Sequence, residues 1–195
     1  MSTLKVDTIL KRTGTGTITV GQSGDTISIP SGATLNSAGT NTLEGIANTP
    51  SFYAALTSSQ TISDNTITKI QFNTEVWDTD SAYDNSTNYR FTTPSGEAGK
   101  YCFMFQGAIN LTRDYQLTMY LRKNGSTVGT EFIVTNGYQP SASTNIGATY
   151  HQILDLSASD YVEIYAKLNN NGSSSNFLYG DNFTTFFTGY KLLGV

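Results

Sequence analysis

The stretch EVWDTDSAYDN holds Glu75, Asp78, Asp80 and Asp84, the densest group of ligand-type side chains in the sequence. Two such carboxylates could hydrolyse a glycosidic bond if held about 5–9.5 Å apart with one kept protonated. The same oxygens could bind calcium, which takes about six to eight oxygen ligands. The DxDxxxD spacing of Asp78, Asp80 and Asp84 lacks the Gly and closing Glu of a helix–loop–helix calcium loop. The expectation is a solvated turn with no metal; a calcium site is the alternative. The single histidine, His151 in GATYHQIL, lies far in sequence from the single cysteine, Cys102. Such a pair is a weak signal for a nucleophilic dyad. No GxSxG, HExxH or CxxC occurs, and no glycine-rich phosphate loop precedes a helix. The chain is therefore expected to be no enzyme, with no catalytic residue and no cofactor. An esterase or glycan hydrolase is the competing class.

Two loop-like stretches, TNGYQPSASTN and NNNGSSSNFLYGDN, combine Tyr with Asn, Ser and Gly, a composition suited to adaptable binding. Tyr138 and Tyr179 could stack on sugar rings. The plainer alternative is polar loops that cap a sandwich.

Elements must position these groups, and composition says which kind. Of 195 residues, 13% are charged and 12% aromatic, with net charge -4. A chain this rich in aromatic and β-branched residues can bury a core, and such residues favour strands. Basic residues pair only at Lys11–Arg12 and Arg122–Lys123, so nucleic acid is not an expected partner. No run approaches the ~18 apolar residues of a membrane span, and the N-terminus lacks the apolar centre of a signal peptide. Membrane insertion is not expected, and synthesis in a cytoplasm is. Cys102 is expected to be a buried thiol.

After Pro50, strand-like runs alternate with turn signals such as SDNT, DNSTN, PSGEAG and KNGS. Candidate strands include TKIQFNTEVW, KYCFMFQGAI, YQLTMYLRKNG, DYVEIYAKL and NFTTFFTGYKLL. No helical period of useful length is present, which predicts an all-β antiparallel jelly roll. KYCFMFQGAI is apolar on both faces: Tyr101, Phe103 and Phe105 on one, Cys102 and Met104 on the other, with Gln106 interrupting. DYVEIYAKL sets Val162, Ile164, Ala166 and Leu168 against Tyr161, Glu163, Tyr165 and Lys167. Such two-faced strands predict that identical copies cover one another, since a large exposed apolar patch invites aggregation. Candidate interface residues are Tyr101, Phe103, Phe105, Tyr161, Tyr165 and Phe187, although alternation fixes the sets and not their direction.

Residues 1–50 carry no aromatic residue and no net charge. TITVGQSG is followed by TISIPSGA, which places Ile18 and Val20 nine residues before Ile27 and Ile29. Leu35 and Leu43 continue a spacing of about that size. Short strand–turn units at fixed period mark shafts and solenoids. One chain has too little apolar surface for this, so Ile18, Val20, Ile27, Ile29, Leu35 and Leu43 are expected to face a common axis of three chains. A flexible linker is the alternative. Leu4, Val6 and Ile9 alternate as a strand that could dock on a partner. The expected domains are an anchor at 1–12, a shaft at 13–50 and a head at 51–195.

AYDNSTNYRFTTPSGEAGKYCFMFQGAI resembles the complement globular-head family, relatives of tumour necrosis factor, at Tyr83-Asp84, Phe91-Thr92, Pro94, Gly99 and Tyr101. MYLRKNG, LDLSASDYVEIYAKL and TFFTGYKLL resemble its later strands, with Ser159 in place of a usual Gly and a longer PSGEAG loop. The resemblance covers about residues 51–195. It implies a ten-stranded, TNF-like jelly roll packed as a homotrimer through its inner sheet, and it transmits no ligand. MSTLKVDTI with TISIPSGATLNSAG resembles the N-termini of fibre and appendage proteins of marine tailed bacteriophages, especially those of cyanobacteria. That resemblance implies a virion structural protein made in the host cytoplasm. Residues 1–12 would hold other virion proteins, and the head would attach to a host-surface glycan or other partner. A capsid decoration and a non-viral trimeric binding module are the alternatives.

Overall fold

The computed structural model describes residues 9, 17–33, 48–111, 115–129, 131–136, 144–169, 177–181 and 184–193. The chain divides into two compact units, Met1–Gly45 and Ile46–Val195.

In the first unit, residues 17–33 form two turns and no strand. Asp25 N donates to Gln22 O at 3.0 Å, and Ala33 N donates to Pro30 O at 3.0 Å. The third residue of each turn is a glycine at positive φ, Gly24 at 92° and Gly32 at 85°. That is the conformation a type II turn demands of this position. The predicted turns are present, and among the described residues the segments between them form no strand.

The second unit is all β among the described residues. In chain order its strands are β1 (Ser51–Ala55), β2 (Gln60–Thr61), β3 (Thr68–Lys69), β4 (Thr74–Asp78), β5 (Tyr83–Asp84), β6 (Arg90–Thr92), β7 (Gly99–Leu111), β8 (Tyr115–Lys123), β9 (Ser126–Thr127), β10 (Phe132–Asn136), β11 (Thr144–Leu156), β12 (Tyr161–Asn169), β13 (Phe177–Leu178) and β14 (Phe186–Lys191). Sheet A runs β2-β13-β7-β14-β1-β4, with β11 on the other side of β7. Sheet B runs β10-β8-β12-β6-β5, with β3 on β12 and β9 on β8. Every pairing is antiparallel. The chain crosses repeatedly between the sheets, so this is a jelly-roll sandwich, as the sequence predicts. Against the ten strands expected, fourteen are described, five of them short pieces of two residues.

The core between the sheets is aromatic. The Phe52 ring stacks on Tyr83 at 5.0 Å and on Phe91 at 5.2 Å, and meets Phe187 edge-on at 4.9 Å. Tyr101, Phe103 and Phe105 of β7 reach the same core. Gly189 of β14 makes the packing possible. A Cβ there would lie 2.6 Å from the Phe103 ring and 2.9 Å from Phe52.

Candidate functional site

The carboxylate cluster is spent on turn backbone. Asp78 Oδ1 accepts from Ala82 N at 3.1 Å, and its Oδ2 from Tyr83 N at 2.8 Å. Asp84 accepts from Ser86 N at 3.0 Å, Thr87 N at 2.8 Å and Asn88 N at 3.1 Å, and from Asn88 Nδ2 at 2.7 Å. Backbone donors, Thr87 first, hold the Asp84 carboxyl below the usual carboxylate range. Burial, then the charges of Asp78 and Asp84, pushes Glu75 up. Both aspartates act as fasteners for the loop between β4 and β6. Among the described residues, no three metal-ligating side chains converge.

The structure corrects four of the six interface candidates. Tyr101, Phe103, Phe105 and Phe187 are buried inside their own subunit and present no surface to a partner. The bulkier set of β7 turns into the sandwich and the set containing Gln106 turns out. That polar residue was the signal available in the sequence, because the face away from the core tolerates it. Tyr161 and Tyr165 do lie outside, but on sheet B. There Arg90 sits 4.1 Å from the Tyr161 ring centroid and Arg122 4.1 Å from that of Tyr165. Between them, Glu163 is buried in an ion pair with Lys69. Cations and a carboxylate thus cover that face.

The outer face of sheet A is different in kind. Register places Trp77, Tyr53, Thr188, Met104 and His151 in one row across β4, β1, β14, β7 and β11. The next row is Ser51, Tyr190, Cys102 and Ile153. Tyr53 lies 5.0 Å from both the Trp77 and Phe186 rings. Trp77 is 48% exposed, Ile153 57%, Tyr190 42% and Met104 38%. With Tyr53, these side chains form an apolar strip across five strands, open to water. Met104 belongs to the alternating set of β7 opposite the interface candidates Tyr101, Phe103 and Phe105.

Cys102 and His151 come to diagonal positions on this face, through Cys102↔Ile153 and Met104↔His151. The thiol engages Tyr190, whose phenol is pushed above its ordinary value first by that hydrogen bond. Of the loop candidates, Tyr179 is half-buried, its N donating to Ala108 O at 2.7 Å. Tyr138 lies outside the described residues, as do Leu4, Val6, Leu35 and Leu43. Ile9, Ile18, Val20, Ile27 and Ile29 are exposed.

No protein-family model matches the chain, and no curated protein matches it by sequence. Solved structures do match the fold. The globular domain of zebrafish complement 1qA protein superposes with TM-score 0.52 at 18% identity, over 73% of this chain and 97% of that one. Eiger TNF from S. frugiperda gives 0.54 at 9%, over 74% and 93%. Murine APRIL at pH 5.0 gives 0.51 at 12%, over 73% and 98%. The head is a C1q/TNF-like jelly roll.

Proposed function

We propose that the chain is a non-enzymatic, homotrimeric binding protein whose head, residues 51–195, is carried on a shaft at 13–50 and an anchor at 1–12. The observation that carries this reading is the open apolar strip on sheet A. Trp77, Tyr53, Phe186, Tyr190, Met104 and Ile153 need cover, and copies of the same strip supply it. The outer face of sheet B, by contrast, carries Arg90, Arg122, Lys69 and Glu163 around Tyr161 and Tyr165. The resemblance to the complement and TNF heads supports three copies. Sedimentation at micromolar concentration tests it: a trimer is expected, and a monomer sinks the reading.

Within that class, we read the protein as a short fibre or appendage of a phage particle, attaching to a host-surface or virion partner. Support comes from the N-terminal resemblance and from the two glycine turns of 17–33, whose turn glycines Gly24 and Gly32 recur eight residues apart. Tail fibre and capsid decoration share this architecture and differ only in where residues 1–12 attach. Imaging an intact particle carrying the labelled chain separates them: density at the tail supports the fibre, density on the shell the decoration. A non-viral trimeric binding module is the second reading, favoured by the complement and TNF likeness of the head. Absence of the chain from any particle would select it.

A further inference from the structure

We propose that a groove at the far end of the head from Pro50, between Leu56–Gln60, the crossing strand-to-strand segment 70–73 and Tyr89, binds a neutral saccharide. This deepens the reading of the head as a binding module and rests on it. Pro50 marks the end where the chain enters β1, its carbonyl accepting from Lys191 N at 3.1 Å. The groove opens where β1 leaves the sheet at the opposite end.

Its volume is about 180 Å³. That equals roughly six waters at ~30 Å³ each, room for a single sugar ring. Two of its walls are fixed by side-chain hydrogen bonds. Gln60 Nε2 donates to Lys69 O at 2.7 Å, while Gln71 N donates to Gln60 Oε1 at 2.8 Å. Asn73 Oδ1 accepts from Thr57 N at 3.1 Å. The third wall, Tyr89, ends the loop fastened by Asp84. Its backbone has φ 48°, a conformation that costs a side chain bearing a Cβ and persists only where the surroundings impose it.

What remains for a ligand is the Ser58 hydroxyl, the Gln71 amide and the Tyr89 ring and hydroxyl. These engage no hydrogen bond among the described residues. No lining residue is charged, in a head that carries twelve acidic and eight basic residues. Amides and hydroxyls match the paired donors and acceptors of sugar hydroxyls, and an aromatic face covers the apolar C–H face of a ring. An ionic ligand would find no counter-charge there, and a large apolar one would find little apolar wall.

The test titrates the full chain with neutral hexoses and N-acetylhexosamine oligomers, read by saturation-transfer NMR and calorimetry. Tyr89→Gly removes the ring while relieving the positive φ, so the fold is kept. Saturable binding of at least one neutral sugar is expected. It should weaken about tenfold or more in Tyr89→Gly and in Gln71→Ala, a loss of roughly 1.4 kcal/mol, and survive in Tyr89→Phe. Failure of every neutral sugar to bind, or binding indifferent to both Tyr89→Gly and Gln71→Ala, overturns the inference. A chain that adheres to cells equally well with Tyr89→Gly overturns the groove but leaves the binding head standing. A trimer that adheres to nothing overturns both.

Discussion

Gly189 shows how tightly the residues of this head are set. Two rings occupy the space a Cβ would need. Gly189→Ala should therefore destabilise the head by about 1–3 kcal/mol, as overpacking does, with a lower thermal midpoint as the readout. Asp160 carries a second prediction. A hydrogen bond from Lys123, then one from Asn124, lowers its carboxyl to about 2. Its folded value lies below its unfolded value of about 3.9, so its contribution is complete above that pH and disappears as pH falls toward the folded value. Asp84 behaves in the same direction. Asp160→Ala should lower the thermal midpoint at pH 6 and make little difference near pH 2. An equal loss at both pH values would contradict this.

At the scale of the element, strand alternation shows which residues share a face and leaves open which face is wet. Ile153→Asp should leave each subunit folded, because Ile153 is exposed, and yet block assembly in sedimentation. Phe105→Asp should prevent folding altogether, since it buries a charge in the aromatic core. If Ile153→Asp still assembled normally, sheet A would not be the seam. This pair also marks the limit of what could be read beforehand. The all-β fold was legible, and so was the apolar set Val162, Ile164, Ala166 and Leu168, because Glu163 and Lys167 stood in the opposite set. On β7 both sets were apolar and only Gln106 broke the tie. The groove was not legible at all. Its walls come from residues 56–60, 71–73 and 89, which share no spacing, and Tyr89 reads in DNSTNYR as an ordinary turn residue. In residues 17–33 the glycine turns were legible, because they follow from local chemistry.

At the scale of the whole molecule, the chain divides into the units Met1–Gly45 and Ile46–Val195. Residues 1–50 alone should be monomeric and without stable structure by circular dichroism. Ile27→Asp in the full chain should loosen the shaft while the head stays trimeric. Deleting residues 1–12 should spare the soluble trimer and remove it from the particle; normal incorporation would contradict the anchor. The placement of β1 has a mechanical consequence as well. This strand enters at Pro50, runs between β14 and β4, and ends beside the groove. A tether pulling at Pro50 against a ligand held in the groove would load both ladders lengthwise, in shear. Hydrogen bonds loaded in shear share the force and fail together, where bonds peeled from one end fail in turn. The same strand order that hides Phe52 in the core would let the fold hold a ligand while its entry strand is pulled.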